Sequence, residues 1–307
     1  PFDNLASHVL GFVGYKDDKL VGRYGLELYY EQMLKRDVSD SKTNSFAELF
    51  FDLKKLIAGE ITSGDIVLTI EPNVQSMLEK SLEKTKEKYK AQTVGGMIIS
   101  PKTGEIIAMS AKPDFNPNQY AKTKDFSIFM NPLVESVIEM GSIMKPLTLA
   151  ASMDTGSIAA STTYTDKGFL VFGPSRIENY DGKARGLADM QKVLNESLNT
   201  GAVFAMQKMG KDKFRDYVLG YGFGEKTGVE LPQEGKNNIG NIIGNSRDIE
   251  YATASFGQGI AVTPIAMVTA LASLANGGLL MKPHIVKEES VKGLKNRMVL
   301  PQEVRRV

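Results

Sequence analysis

The chain of 307 residues is long enough for one large domain or two ordinary ones, and its 42% hydrophobic and 24% charged residues are typical of a globular protein. Thirty-seven basic and thirty-six acidic residues give a formal net charge of +1, which favours neither nucleic acid nor an anionic membrane as a partner. Cysteine is absent and there are only two histidines, so thiol chemistry is excluded and a zinc site or a Ser-His-Asp triad is disfavoured.

The first elements in chain order are a helix, a linker, a strand and a second helix. Apolar residues at helical spacing predict a helix over 24–34, and the polar stretch 37–44 predicts a loop or linker. The segment DIVLTI (65–70) is rich in β-branched residues and predicts a strand. Pro72 then begins a helix that we expect to end near Tyr89 with a charged, solvated face.

The middle of the chain predicts a hairpin, an irregular stretch and a helix. The segments TVGGMIIS (93–100) and EIIAMS (105–110), separated by the turn PKTG (101–104), predict an antiparallel hairpin. Residues 112–132 are rich in Pro and Asn and predict irregular structure, and a helical pattern then begins at Ser142 and stops at Gly156.

The remainder predicts strands followed by helices. Residues 162–179 are expected to form strands and loops, and 187–221 two or three helices with an interruption around 199–201. An apolar helix over 263–275 is expected to end at a pair of glycines. Helices that flank a hairpin-built sheet indicate an α+β fold.

The pattern S-x-x-K occurs three times, beginning at Ser39, Ser81 and Ser142. The first copy falls in the predicted linker and the second on the charged helix face, so both are predicted to be incidental. In the third, Ser142 lies at a helix start, where the helix dipole favours a developing alkoxide and, together with apolar neighbours, disfavours the charged form of Lys145. That pair could therefore be a nucleophile and its base. On this feature alone, an ordinary capping serine beside a lysine that reaches solvent is the simpler interpretation.

The only S-x-N pattern is Ser197-Leu198-Asn199, which falls between two apolar helical segments. A tight turn there would present a hydroxyl and an amide that can relay a proton and bind a peptide carbonyl. The alternative is a helix C-cap with Asn199 or Gly201 in the left-handed conformation.

These motifs resemble those of the penicillin-recognising serine enzymes, which combine S-x-x-K, S-x-N and K-T-G. The likeness extends to DIVLTIEPNVQ, GGMIISPKTGEIIAMSAKPDFNPN, MGSIMKP and ATASFGQGIAVTPIAM, which look like the monofunctional penicillin-binding transpeptidases of septal or lateral wall synthesis. HVLGFVG and GRYGLELYYEQML resemble the end of their N-terminal pedestal domain. The resemblance covers nearly the whole chain, and one departure is Met140, where the family usually has proline.

The resemblance implies a penicillin-binding transpeptidase fold, related to the serine β-lactamases, in which helices flank an antiparallel sheet. Residues 1–64 are then the end of the pedestal domain and a linker, and residues 65–307 belong to the transpeptidase domain. K-T-G occurs at 102–104 and 226–228, but neither place suits the family's cleft-lining strand. We therefore expect the natural protein to continue past Val307 to that strand, and a membrane anchor to precede Pro1.

The resemblance also implies the activity, a D,D-transpeptidase that cross-links peptidoglycan stem peptides through a serine acyl-enzyme. Ser142 would be the nucleophile, Lys145 the base, Ser197 the proton relay and Asn199 the ligand of the substrate's peptide carbonyl. No cofactor or metal is implied. β-Lactam antibiotics would acylate Ser142, and the expected partners are a membrane glycosyltransferase and division or elongation proteins, with the catalytic domain outside the cytoplasmic membrane.

Two alternatives stay open. A hydrolase of the same fold, either a D,D-carboxypeptidase or a β-lactamase, would use the same serine and lysine and activate water. A non-catalytic β-lactam-binding scaffold would explain why the K-T-G strand lies outside the sequence. If the natural chain ended at Val307, we would expect poor folding and no turnover.

Overall fold

The computed structural model describes residues 2–35, 64–244 and 246–287, together with the backbone of 305–306. Contacts group the described residues into two units. The first is drawn from 1–135, 228–234 and 282–303, and the second from 136–227, 235–281 and 304–307.

The first unit contains two antiparallel hairpins and several helices. Its elements are α1 (Ser7–Leu10), β1 (Val13–Lys16), β2 (Lys19–Gly22), α2 (Gly25–Tyr29), α3 (Glu31–Leu34), α4 (Pro72–Tyr89), β3 (Val94–Ile99), β4 (Ile106–Lys112) and α5 (Pro132–Glu135). Strand β1 pairs with β2, and β3 pairs with β4. The helix predicted over 24–34 is present as α2 and α3 with a break at Tyr30, and the predicted hairpin is confirmed.

Helix α4 has the bounds predicted from the sequence. Pro72 occupies the first turn, where a missing N–H costs no helical hydrogen bond, and Lys90 ends the helix in the left-handed conformation. Buried Gln75 joins the helix to β4, since its amide donates to the carbonyl of Met109 and accepts from the Met109 N–H, each at 2.9 Å. The opposite face is exposed and charged, as expected.

Residues 65–70 do not form the strand that their composition predicts. Within the described residues, this segment forms one isolated bridge, between Leu68 and Val286, which is flanked by hydrogen bonds from the Thr69 N–H to the Ile285 carbonyl and from the Lys287 N–H to the Val67 carbonyl. The segment is extended, but its pairing is too short to make a ladder. The loop predicted over 37–44 lies outside the described residues.

The second unit alternates short antiparallel hairpins with helices. Its elements are α6 (Lys145–Asp154), β5 (Thr163–Asp166), β6 (Phe169–Phe172), β7 (Ser175–Glu178), β8 (Gly186–Asp189), α7 (Met190–Asn195), α8 (Asn199–Met209), α9 (Lys211–Gly220), α10 (Asp248–Ala254), α11 (Pro264–Ser273), β9 (Leu279–Leu280) and β10 (Arg305–Arg306). Strands pair as β5 with β8, β6 with β7 and β9 with β10, all antiparallel. The predicted α+β class is confirmed, and the described strands pair two at a time.

The core of the second unit surrounds α6 and α8. Buried side chains from these helices meet those of α9, α10 and α11, and the fully buried members include Met144, Leu147, Ala202, Val203, Phe223, Ile242 and Ala270. A satellite cluster between α6, α7 and α8 contains Leu149, Met190, Val193, Leu198 and Ala205. Each motif therefore has one inner residue anchored in apolar packing, Met144 in S-x-x-K and Leu198 in S-x-N.

Two further predictions have definite outcomes. The helix predicted over 263–275 is α11, which Thr263 caps by accepting the Ala266 N–H. The interruption predicted around 199–201 lies at 196–198 instead, because Asn199 is already the first residue of α8. Among the described residues, no helix has the length and apolar character needed to span a membrane.

Candidate active site

Ser142 lies in a single 3₁₀ turn, Gly141–Met144, that leads directly into α6. Pro146 sits in the first turn of α6, where a proline is tolerated. The Ser142 side chain is exposed, whereas Met144 and Lys145 are buried. The serine is thus presented at the surface by a turn whose other side is fixed in the core, and the α-helix that the sequence predicts from Ser142 begins at Lys145.

A close approach of two backbones holds this turn. Gly141 and Gly257 both have positive φ, at 60° and 79°, and the Gly141 N–H donates to the Gly257 carbonyl at 3.0 Å. A Cβ on residue 257 would stand 2.2 Å from the carbonyl oxygen of Gly141, closer than any real contact. Only glycine at 257 therefore allows the turn to sit where it does.

The residues before Ser142 are tied to the same neighbouring segment. Ile138 and Val262 exchange backbone hydrogen bonds of 3.1 and 3.0 Å. The Gly259 N–H donates to the Glu139 carboxylate at 2.8 Å. The segment FGQG was recognised in the sequence only as part of a resemblance. Its two glycines were the available sequence signal of a tight turn. The hydrogen bonds of Gly257 and Gly259 show that this segment supports the Ser142 turn.

Lys145 is 1% exposed, and its Nζ lies within hydrogen-bond distance of three oxygens. These are Ser142 Oγ at 3.0 Å, Ser197 Oγ at 2.9 Å and the Ser197 carbonyl oxygen at 2.6 Å. An ammonium can donate to all three. A neutral amine can donate to the two Ser197 oxygens and accept the Ser142 proton, so the same geometry serves both protonation states.

Burial lowers the pKa of Lys145 to about 8. A charged amine is disfavoured when it leaves water, and no carboxylate contributes to this shift. At pH 7 a group with this pKa is neutral in about a tenth of molecules, many times more often than an ordinary lysine. Lys145 is therefore suited to accept a proton near neutral pH.

Ser197 adopts a conformation that L residues rarely take, with φ at 52°. It follows α7, and the pattern of hydrogen bonds is that of a Schellman motif: the Leu198 N–H donates to the Val193 carbonyl at 2.9 Å and the Ser197 N–H to the Leu194 carbonyl at 3.3 Å. Ser197 occupies the position that glycine usually fills. A helix C-cap is thus present, but the alternative that placed Asn199 or Gly201 in the left-handed conformation is wrong.

The Ser197 conformation has a chemical consequence. Both its hydroxyl and its carbonyl reach Lys145 Nζ, so one residue supplies two of the three partners of the lysine. A left-handed non-glycine residue costs roughly 1–2 kcal/mol, and such costs concentrate at functional sites. The buried Leu198 anchors the turn between Ser197 and Asn199.

Asn199 begins α8 and is half-buried. Its Nδ2 donates to the Glu178 carbonyl at 2.8 Å. An amide nitrogen carries two hydrogens, so this bond orients the group while the second hydrogen can serve another acceptor. The structure therefore brings Ser142 and Ser197 to the same Lys145 nitrogen and places Asn199 at the start of α8, bound to β7.

The other copies of the motifs lie elsewhere. Ser39 falls outside the described residues, and Ser81 is exposed on α4 with its hydroxyl donating to the Met77 carbonyl at 2.8 Å. The K-T-G at 102–104 forms the turn between β3 and β4, and the one at 226–228 lies in the loop after α9. Neither K-T-G lies on a strand of the described structure.

The geometry as a whole supports acyl transfer. An exposed serine hydroxyl next to a buried lysine of lowered pKa is an arrangement in which the amine can activate the hydroxyl. A second hydroxyl on the same nitrogen offers a route for the proton from the lysine to a leaving group.

Comparison with known proteins agrees with this chemistry. Residues 94–307 match the family model described as the penicillin binding protein transpeptidase domain. Stage V sporulation protein D of Bacillus subtilis is 34% identical over 292 residues, which cover 94% of this chain and 44% of that protein. Peptidoglycan D,D-transpeptidase MrdA of Escherichia coli is 25% identical, with 99% of this chain and 53% of that protein covered. The chain thus spans about half the length of these relatives.

A solved structure shows the same fold. The apo form of penicillin binding protein 3 from Mycobacterium tuberculosis superposes with a TM-score of 0.83 at 23% identity, covering 100% of this chain and 65% of that one.

Proposed function

Because the chain belongs to the penicillin binding protein transpeptidase family, we propose that its protein is a serine-type D,D-transpeptidase that cross-links peptidoglycan stem peptides. The observation that carries the proposal is the environment of Lys145, whose buried Nζ lies 3.0 Å from Ser142 Oγ and 2.9 Å from Ser197 Oγ. The proposed substrate is a stem peptide that ends in two D-alanines.

In the proposed acylation, Ser142 Oγ attacks the carbonyl carbon of the penultimate D-alanine. Neutral Lys145 accepts the hydroxyl proton, and Ser197 passes a proton to the departing nitrogen. The C–N bond breaks, the terminal D-alanine leaves, and an ester joins Ser142 to the shortened peptide. The Ser142 N–H is one proposed donor to the oxyanion.

In the proposed second step, an amine of a neighbouring stem peptide attacks the ester carbonyl. Lys145 and Ser197 take up the amine proton and return one to Ser142, whose ester bond breaks. The product is a peptide bond between two strands and a regenerated enzyme. Asn199 would hold a backbone carbonyl of the donor peptide through its Nδ2 in both steps.

The experiment that tests this proposal is acylation by benzylpenicillin followed by intact-mass measurement. We expect the wild-type protein to gain one penicilloyl group and Ser142→Ala to gain none. Ser81→Ala is a matched control, because it removes the serine of another S-x-x-K copy on an exposed helix face. An adduct that survives Ser142→Ala would contradict the assignment of the nucleophile.

Of the alternatives, a hydrolase is less well supported, since curated relatives that match nearly the whole chain are named as D,D-transpeptidases. Rapid loss of the penicilloyl group to water would favour it. A scaffold without activity would bind β-lactams and release no D-alanine from a stem peptide. The release of D-alanine in the presence of an acceptor amine separates the three.

We place the proposed activity outside the cytoplasmic membrane, where peptidoglycan and β-lactams are found, with membrane glycosyltransferases and division or elongation proteins as partners. The basis is membership of the family. Protease accessibility of the natural protein in spheroplasts tests the location, and resistance to protease there would contradict it.

A further inference from the structure

The S-x-N turn is held by a segment that the sequence did not single out. Residues 166–185, which contain β6 and β7 and are called the frame here, contact residues on both sides of the turn. One contact point is Glu196, which precedes Ser197, and the other is Thr200, which follows Asn199.

Asp166 is the centre of the frame. It is 2% exposed, and each carboxylate oxygen accepts two hydrogen bonds. Oδ1 accepts from the Gly168 N–H and the Thr200 hydroxyl, both at 2.8 Å, and Oδ2 accepts from Asn179 Nδ2 and the Arg185 N–H, both at 2.9 Å. All four lone-pair positions of the carboxylate are used, which is the complete capacity of the group.

The network reaches Asn199 by two adjacent routes. Asn179, 3% exposed, accepts from the Thr200 N–H at 3.3 Å, and its Oδ1 lies 3.2 Å from the Thr200 hydroxyl oxygen, whose single proton goes to the nearer Asp166. One residue earlier on the frame, the Glu178 carbonyl accepts from the Asn199 side chain at 2.8 Å. Consecutive residues of the frame therefore bind consecutive residues at the start of α8.

The Ser197 side of the turn has its own support. The Arg185 guanidinium donates from Nε to Glu196 at 2.7 Å and binds Asp181 with both terminal nitrogens at 2.9 Å. The backbone of Arg185 binds Asp166, but the guanidinium that reaches Glu196 is held separately by the Asp181 carboxylate. A change confined to Asp166 should therefore disturb Asn199 more than Ser197.

We propose that Asp166 is a positioning residue that, through Thr200 and Asn179, sets the place of the Asn199 amide at which the substrate's amide carbonyl binds. The inference rests on the function proposed above, in which Asn199 contacts substrate and Asp166 does not.

Replacement of Asp166 by asparagine is the sharpest single change. The two side chains have the same shape, but an amide accepts at one oxygen only and turns an NH₂ toward donors on its other side. Whichever way it is turned, two of the four bonds are lost. We expect the first turn of α8 to shift. A misplacement on the order of 1 Å at a group that binds substrate can lower the rate about tenfold or more.

The first measurement is the second-order rate of acylation by benzylpenicillin in the full-length protein, at a temperature where circular dichroism shows every variant folded. The matched control is Ser273→Ala, which removes a buried hydrogen bond from α11 in the same unit. We expect Asp166→Asn to be acylated about tenfold or more slowly than this control. A rate within twofold of the control would overturn the proposal.

The second measurement separates positioning from general loss of stability. 6-Aminopenicillanic acid lacks the acylamino carbonyl that Asn199 would hold, so we expect Asp166→Asn to slow its reaction less than that of benzylpenicillin. We also expect the benzylpenicillin losses of Asp166→Asn and Asn199→Ala not to multiply in the double variant, since both act through one contact. Equal losses with the two β-lactams, or losses that multiply, would overturn the proposal.

Thr200→Val carries the same tests if Asp166→Asn does not fold, because valine keeps the shape and removes the hydroxyl that donates to Asp166. If the wild-type protein is not acylated at Ser142, the proposed function fails and this inference with it. If wild-type acylation is normal and only the Asp166 and Thr200 results differ from expectation, the inference alone fails.

Discussion

Ser81 and Ser142 are each followed, three residues later, by a lysine, yet the two pairs have different surroundings. Ser81 is exposed on α4 and gives its hydroxyl proton to its own helix, at the Met77 carbonyl. Lys84 is exposed on the same helix. Ser142 stands on a separate turn, and its hydroxyl lies 3.0 Å from a lysine amine that is almost wholly buried.

The difference shows what the S-x-x-K pattern does and does not determine. The spacing puts serine and lysine on one side of a helical turn in both cases. What distinguishes Lys145 is burial, which lowers its pKa to about 8, and a second serine that reaches the same nitrogen. The reactivity of an S-x-x-K serine therefore depends on the packing around the motif. It can be tested by making the same substitution in the copies at Ser81 and Ser142.

The largest expected effect comes from removing Lys145, with removal of Lys84 as the comparison. Lys145→Met should lower the rate of acylation by benzylpenicillin by about 10²–10⁴-fold, the usual contribution of a general base. Lys84→Met should leave it unchanged, because that side chain is exposed on α4. Stopped-flow or mass-resolved time courses measure both. A Lys145→Met protein that is acylated at the wild-type rate would show that the lysine is not the base.

The second-largest effect is expected from the contact between Gly257 and the Ser142 turn. Ser81 lies within a regular helix and has no such supporting turn. Gly257→Ala forces a Cβ to within 2.2 Å of the Gly141 carbonyl oxygen, and we expect acylation to fall by up to about 10²-fold as the turn moves. Gly277→Ala is the matched control: its φ is 84°, but a Cβ there meets nothing within 4 Å.

Both alanine variants carry a left-handed backbone cost of roughly 1–2 kcal/mol, which thermal unfolding measures. Only Gly257→Ala should also lose acylation rate. An equal loss in the two variants would mean that backbone strain, and not displacement of Ser142, is responsible.

The smallest expected effect is the pH dependence. Lys145 must be neutral to accept a proton, and its neutral fraction rises with pH through a pKa of about 8. The acylation rate should therefore increase about tenfold between pH 7 and pH 9 and level off above. Lys84→Met should keep this profile and Lys145→Met should flatten it. A wild-type profile that is level from pH 6 to pH 9 would contradict a base of this pKa.

The sequence predicted the elements whose signals are local. Helix α4 has a proline at its start and a charged outer face, and a Pro-Lys-Thr-Gly turn separates the two apolar segments that form β3 and β4, so the helix and the hairpin were placed correctly. The strand over 65–70 was wrong because β-branched composition does not show how long the partner segment will be. Its partner, residues 285–287, lies far along the chain and pairs with it at one bridge.

The sequence likewise predicted some residues of the site and missed others. Ser142, Lys145, Ser197 and Asn199 were selected by pattern and resemblance, and the structure places the first three in contact; their catalytic roles stay predictions. Asp166 carried no signal, because a single aspartate in a stretch predicted to form strands and loops is common. Its four donors come from Gly168, Asn179, Arg185 and Thr200, and only the fold gathers them.

At the Schellman position of Ser197, the residue that is best for folding stability differs from the residue that the proposed chemistry needs. Selection for thermal stability alone would favour glycine there, since glycine takes the left-handed conformation without penalty and keeps the same backbone hydrogen bonds. Glycine would also delete the hydroxyl that lies 2.9 Å from Lys145 Nζ. A library of variants screened only for a higher melting temperature would therefore select glycine at position 197 and lose the proposed proton relay. Such a screen needs an acylation assay beside it.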